Sequence, residues 1–397
     1  MLARDTVFTA PLRSADTNLP PVSKIDVGKW SGLNVVIVGG SIAGCCAAIA
    51  LEKLGATVTI LEKSSDLNQS GAGIVLQPDL IRFLEEFEVC KVDTISLKAD
   101  SRKYLAEDGT VQEIRDKMRF CSWGLLFQTL FSSIQRSSHV LGSAVDSISV
   151  EGGKSIIKIS DGRTLTADLV VGADGCGSVV RQNLFHCVDE YAGYVAWRGT
   201  VTESLLEPNI VYEIRNRFLV FRASDYHMLC YCIPPGFINW VWYENTSIDD
   251  LEEIMLDNKG NKQKYSVSRG RLRDFIASKQ KEKARTLFPP LFATLVESTE
   301  HIFVQSIHDL IVPDSVVANN SVVLLGDASC LVRPHTAAGS SKAASDAWRL
   351  ARFLSSSSDI SEGLRRFNEA ILHSNRHLYS LGIDLGNKLQ GLSARDE

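Results

Sequence analysis

The sequence of 397 residues lacks several features that would each declare a class. Its nine cysteines include no C-x-x-C pair, so neither a zinc ribbon nor a thioredoxin-type dithiol is written into it. They are odd in number and scattered from Cys45 to Cys330, which argues against a disulfide framework and for a reducing, cytoplasmic setting. Cys230 and Cys232 alternate as two residues on one strand face would, and read as small buried apolar groups. Net charge is small: 42 Lys and Arg against 47 Asp and Glu leave −5. That removes the broad basic field with which nucleic-acid binders neutralise phosphates. No stretch approaches the roughly 18 consecutive apolar residues of a membrane span. Met1 to Lys24 lacks the apolar centre of a secretory signal. His373 and His377 share a helix face, but the Glu of H-E-x-x-H and a third ligand are missing, so no metal site is expected. Apolar residues at 45% and charged residues at 22% support packed cores. At about 100–200 residues per domain the chain has room for two or three.

Residues 1–32, with Pro11, Pro20 and Pro21, read as a polar, loosely held extension. Leu33–Val38 is a β-branched run typical of a strand buried on both faces. It leads into Gly39-Gly-Ser-Ile-Ala-Gly44, a helical pattern over Cys45–Leu54, a helix-ending Gly55, and a second strand, Thr57–Leu61, ending at Glu62. Strand, glycine turn, helix, strand and acid form the βαβ dinucleotide-binding unit. Gly39 permits the tight turn and Gly44 lets the helix pack closely. Gly40, Ser41 and Ala43 keep the loop small, although Ser41 stands where the middle glycine of G-x-G-x-x-G belongs. Such a turn brings a pyrophosphate to the N–H groups of a helix start. Glu62, about 20 residues on, accepts from ribose hydroxyls, with Lys63 beside it. Asp161-Gly162 sits between two strand patterns as a hairpin turn. Residues 190–245, dense in aromatic and β-branched types, read as an antiparallel sheet, and Ser340–Leu354 as an amphipathic helix.

Two later segments discriminate between users of this unit. Asp168-Leu-Val-Val-Gly-Ala-Asp174-Gly175 resembles the "DG" fingerprint of flavoprotein hydroxylases, and Val323-Leu-Leu-Gly326-Asp327-Ala-Ser-Cys330 resembles their "GD" fingerprint. The chain is thus similar to the group A FAD-dependent aromatic hydroxylases. Tyr191–Gly199, Asn239–Tyr243, Phe303–Ile307 and Arg333–Gly339 resemble the 2,6-dihydroxypyridine 3-monooxygenase branch in particular. The similarity spans about residues 33 to 390.

The resemblance implies an α/β fold: a Rossmann-type FAD-binding domain with an inserted antiparallel β-sheet substrate domain and a helical C-terminal tail. The expected FAD-binding segments are 33–75, 112–188 and 306–352; the substrate domain takes 76–111 and 189–305, and the tail 353–397. It implies FAD, with NADH or NADPH as co-substrate and O2, hydroxylating or epoxidising an electron-rich aromatic or heteroaromatic small molecule through a flavin C4a-hydroperoxide. The alternative is a flavin-scaffolded enzyme of natural-product biosynthesis that catalyses a non-redox cyclisation or rearrangement. A monomer or homodimer is expected, with no nucleic-acid or membrane partner. Beyond the first turn, the cofactor-contacting residues would be Gln128 (where relatives carry Arg), Asp174, Gly326, Asp327, Ala337, Ala338 and Gly339. Pro334 and His335 would face the reacting atoms, and Arg198, Tyr231 and Trp242 the substrate. Glu244 stands where the pyridine hydroxylases more often have Arg, a charge reversal that bears on the substrate if it faces the pocket.

Overall fold

The computed structural model describes residues 25–66, 72–185, 187–317 and 320–392, and the first 24 residues of the expected extension lie outside them. Asn34–Val38 sits inside a parallel sheet, flanked by Leu169–Gly172 on one side and Thr57–Leu61 on the other. Val322–Leu324 and Ser138–Val140 extend it in parallel, and the two-residue strand Val316–Val317 closes one edge antiparallel. The central strands are apolar on both faces because helices cover one side and a three-stranded sheet with its own core covers the other. Helix Ile42–Lys53 and helix Gly339–Ser356 pack together on the first side, burying Cys45, Cys46, Ala47, Ala344 and Ala347. Small side chains let the two helix axes approach closely.

The second sheet, ten-stranded among the described residues, runs through Phe303–Ile311, Glu190–Thr202, Phe237–Asn245, Tyr226–Ile233 and Arg217–Arg222. These pairs are antiparallel, but Arg217–Arg222 meets Leu97–Ala106 in parallel, a departure from a purely antiparallel sheet. Strand alternation sorts its residues. Trp197, Trp240, Trp242, Cys230 and Cys232 form a core under helices Asp274–Leu287 and Pro290–Glu297, while Tyr194, Tyr231, Val241 and Tyr243 face the other way. All nine cysteines are free thiols.

Several expected boundaries shift. Val111–Ser122 pairs within the ten-stranded sheet rather than joining the parallel-sheet domain. Helix Pro78–Glu86 does the reverse, burying Leu80, Phe83 and Leu84 against the helices of that domain. Residues 25–32 are docked: Trp30 Nε1 donates to Leu354 O at 3.0 Å and Lys29 Nζ to Ser355 O at 2.7 Å. The tail is one long helix, Ile360–Leu389, that returns to the junction between the two sheets. No helix is long and apolar enough to cross a membrane.

Candidate active site

A continuous cavity of about 1150 Å³ lies between the two sheets. That exceeds the roughly 300–1,000 Å³ of a drug-sized ligand site, leaving room for a dinucleotide and a second molecule. At one end stands the first glycine turn. Gly39 has φ +99°, and a Cβ there would meet Ala173 O at 2.5 Å; at Gly44 it would meet Gly39 O at 1.9 Å. Ser41 makes no side-chain cap and the first helical turn carries no acid, so its N–H groups are left for a ligand. Ser41 and Ala43 line the cavity, with Gly40 and Gly44 behind them. Glu62 accepts from Gly40 N and Ser64 N, each at 2.8 Å, and Lys63 is exposed on the rim.

The DG and GD turns are locked to each other. The Asp174 carboxylate is spent locally, accepting from Ser178 Oγ at 2.6 Å and Val179 N at 2.7 Å. Burial raises its pKa while those donors oppose the rise. The buried Arg181 guanidinium reaches across to Ala328 O at 3.0 Å and back to Cys176 O. Gly326, at φ +56°, is held at both ends: its N donates to Asp346 Oδ2 at 2.9 Å and its O accepts from Lys342 Nζ at 2.9 Å. Lys342 and Asp346 are themselves paired at 2.7 Å, both almost wholly buried. This clamp sets Asp327 on the cavity wall, where desolvation raises its carboxyl pKa against the nearby Lys342.

The third turn runs Arg333-Pro334-His335-Thr336. Arg333 grips Asp309 through Nε at 2.7 Å and Nη2 at 2.5 Å, and donates to Asn387 Oδ1 of the tail helix at 2.8 Å. Thr336 Oγ1 donates to Arg333 O and accepts from Ala338 N. Ala337 takes a left-handed φ of +52°. The turn delivers Gly339 as the start of an 18-residue helix with no side-chain cap and no acid in its first turn. A second set of free N–H groups thus faces the cavity.

His335 meets the aromatic wall of the second sheet. Its Nε2 lies 3.1 Å from Tyr194 Oη, and its ring centroid is 4.3 Å from Tyr243 and 5.2 Å from His227. Burial, then His227, Arg333 and Arg198, push its pKa well below the ordinary histidine value. It is therefore neutral at physiological pH. Burial likewise raises the phenols of Tyr231 and Tyr243, with Arg198 opposing the rise in both. Arg198 and Tyr231 line the cavity as the sequence suggests.

Two expectations fail, and the condition on Glu244 is not met. Trp242 is fully buried on the opposite face of its strand, its ring edge-on to Phe288 at 4.9 Å. Its register partner is Trp197, and strand alternation gives the cavity Val241 and Tyr243 instead. Gln128 is exposed and lies off the cavity lining. Glu244 also faces away, accepting from Trp197 Nε1 at 2.8 Å and Gln280 Nε2 at 3.0 Å, so its charge does not enter the pocket. Missing from the sequence reading were the Lys342–Asp346 clamp, Tyr194 and Tyr243, and the tail helix, whose Leu381 and Leu385 line the cavity. A cheap signal for the last existed in Gly382 and Gly386, one turn apart. A Cβ at Gly386 would strike Arg333 Nη1 at 2.7 Å and Tyr194 Oη at 2.8 Å.

Residues 37–70 match a family model described as an NAD(P)-binding Rossmann-like domain, and residues 191–309 one described as FAD binding domain-like. The 2,6-dihydroxypyridine 3-monooxygenase of Paenarthrobacter nicotinovorans is 31% identical over 371 residues, covering 91% of each chain. The chain belongs to the FAD-dependent monooxygenases of the aromatic hydroxylase type. The solved 2,6-dihydroxypyridine-3-hydroxylase from Arthrobacter nicotinovorans superposes on this monooxygenase with a TM-score of 0.85 at 29% identity, over 91% of this chain and 94% of that one. The 6-hydroxynicotinate 3-monooxygenase of Pseudomonas fluorescens is 24% identical over 345 residues, 81% of this chain and 82% of that protein. The residues present fit FAD. The Gly39–Gly44 cradle with its free helix start would take the pyrophosphate, Glu62 the ribose, Asp327 the ribityl chain, and the Gly339 helix start the ring edge that gains negative charge on reduction.

Two predictions follow from this geometry. Lys342→Met leaves Asp346 buried without its partner and should cost about 3–5 kcal/mol of stability, together with FAD affinity. The double variant Lys342→Met/Asp346→Leu should recover much of the stability while Gly326 stays unclamped. Urea unfolding and FAD titration of the three proteins check this, and additive losses would refute the coupling. Second, burial holds the His227 pKa at about 3, and that of His335 is also depressed, so both are neutral when folded yet protonate below about 6.5 when unfolded. Their stabilisation is present above that pH and is lost on acidification. His227 should remove about 1.4 kcal/mol between pH 7.5 and 5.5, and His227→Phe should flatten that slope in denaturant titrations.

Proposed function

We propose that the protein uses NADH or NADPH and O2 to hydroxylate an electron-rich aromatic or heteroaromatic small molecule. One observation carries this reading: a buried neutral histidine, His335, stands where the uncapped helix start of the cofactor cradle meets the aromatic wall. When bound and reduced, FAD supplies the O2-activating chemistry by which one oxygen atom enters the substrate and the other leaves as water. Tyr231, Tyr243 and Val241 form an apolar slot that stacks a flat ring and excludes water. With Nε2–H donating to Tyr194 Oη, His335 Nδ1 keeps the lone pair that accepts the proton of a substrate hydroxyl and makes the ring carbon more nucleophilic. Tyr194 holds the imidazole through Oη, and the Arg333–Asp309 pair holds the turn. Arg198 lines the same cavity and offers its charge to an anionic substrate. The named activity of the 31%-identical relative, on a dihydroxypyridine, supports a hydroxylated heteroaromatic substrate. No second nucleotide-type βαβ unit occurs among the described sheets, which supports transient docking of the reductant.

Purified protein should oxidise NAD(P)H faster on addition of a substituted pyridine, phenol or indole, with product formed in step. In His335→Ala, FAD binding and folding should persist while oxygen transfer falls by roughly 10²–10⁴-fold. Reducing equivalents should then appear as hydrogen peroxide. Product and peroxide measured together decide the matter: full coupling at normal turnover removes His335 from the chemistry. Product formed without NAD(P)H consumption would support the non-redox alternative instead.

A further inference from the structure

The acids and bases that line the cavity are unevenly placed. Its carboxylates are Glu62, at the end of strand Thr57–Leu61, and Asp174 and Asp327, on the two later glycine turns. The arginines are on the other side. Three of the five lining arginines are neutralised: Arg102 by Asp116 at 2.7 Å, Arg271 by Asp257 at 3.2 Å and Arg333 by Asp309. Arg198 and Arg269 have no carboxylate partner among the described residues. Each also buries an Nε that makes no hydrogen bond.

These two are neighbours. Arg198 pairs directly with Phe303 across antiparallel strands, so their side chains leave the same face of the sheet. The Arg269 guanidinium lies over the Phe303 ring at 5.6 Å. Its Nη2 donates to Thr200 Oγ1 at 2.9 Å, and Thr200 is two residues from Arg198 on the same strand and the same face. Two routes therefore place Arg269 beside Arg198. Two partly buried guanidiniums with no carboxylate partner lack part of their solvation, and burial alone lowers the Arg269 pKa. An oxyanion between them relieves that cost and satisfies donors the protein leaves open.

We propose that Arg198 and Arg269 form an anion subsite that binds a carboxylate, or a comparably acidic substituent, of the organic substrate. This rests on the hydroxylase reading and narrows it to aromatic or heteroaromatic acids. The anion belongs to the substrate rather than to a phosphate of the reductant because Arg198 pairs directly across its strand with Val241 of the ring slot, on the cavity face that also carries Tyr231 and Tyr243. Arg269 is then a specificity residue, touching the substituent and not the reacting carbon.

The test compares 6-hydroxynicotinate with 2-hydroxypyridine, the same ring without its carboxylate, by calorimetry on the FAD-loaded protein. Wild type should bind the acid at least about tenfold more tightly. Arg269→Gln should erase most of that preference by weakening the acid alone, Arg269→Lys should retain part of it, and FAD content and the KM for NAD(P)H should not move. Equal affinities in wild type, or binding of neither probe at millimolar concentration, overturn the subsite. So does an Arg269→Gln protein that keeps the preference but shows a raised KM for NAD(P)H, which would assign the anion to the reductant's phosphates. If Arg269→Gln does not fold, wild type and Arg269→Lys still decide. Full FAD content with no acid preference sinks this proposal alone, whereas failure to take up FAD sinks the hydroxylase reading.

Discussion

The bidentate pair between Arg333 and Asp309 is the constraint on which the site depends. Both side chains are almost wholly buried, where an unpaired charge would be prohibitively costly. Satisfying them forces three elements to one point: the sheet strand bearing Asp309, the turn bearing Arg333, and the tail helix that offers Asn387. Burial alone would lower the Arg333 pKa, but Asp309 and Tyr194 together outweigh it and raise the value. Once that point is fixed, His335 has one place to go, against Tyr194 and Tyr243, and Gly339 must begin its helix facing the cavity. Gly386 lets the tail helix come within reach of the pair. A helix that looks like an appendage in the sequence is thereby part of the active-site wall.

The cavity divides its polar chemistry in the same economical way. At the starts of helices Ile42–Lys53 and Gly339–Ser356 the chain offers free backbone N–H groups and no acid in either first turn. Elsewhere on the wall it offers carboxylates, positioned by backbone amides at Glu62 and by the Lys342–Asp346 clamp at Asp327. Against the aromatic wall it keeps a histidine uncharged by burial beside cations. The oxygens of Asp174 organise its own turn, so this fingerprint acid shapes the stretch of cavity wall that it lines.

The fold was legible wherever a local pattern carried it. Asn34–Val38, Ile42–Lys53, Thr57–Leu61 and Gly339–Ser356 follow from β-branched runs, 3.6-residue periodicity and glycine punctuation, and each lies within a residue or a few of its expected bounds. The three glycine turns were legible because positive φ and close approach exclude other residues there. What escaped depends on partners distant in sequence. Trp242 and Tyr243 differ only in strand parity, and parity is fixed by the pairing of Trp197 with Trp242. Glu244 looked like a pocket charge because its own partners, Trp197, Gln280 and Lys283, come from other elements. The Lys342–Asp346 pair is an ordinary i,i+4 spacing until burial makes it a clamp. Helix Pro78–Glu86 and strand Val111–Ser122 exchanged domains because a single amphipathic pattern does not say which core it will join.

The central claim is that the glycine turns and the aromatic wall build one continuous site, with cofactor and substrate in contact. Its most direct measurement is the visible spectrum of the purified protein before and after addition of a hydroxylated aromatic acid. The protein should carry a single equivalent of FAD, releasable by acid because no covalent attachment holds it. The flavin bands should then shift when the ring enters the slot beside His335, and Tyr243→Ala should abolish the shift without releasing FAD. A colourless protein that does not take up added FAD would contradict the account, as would a flavin spectrum indifferent to every aromatic that calorimetry shows to be bound.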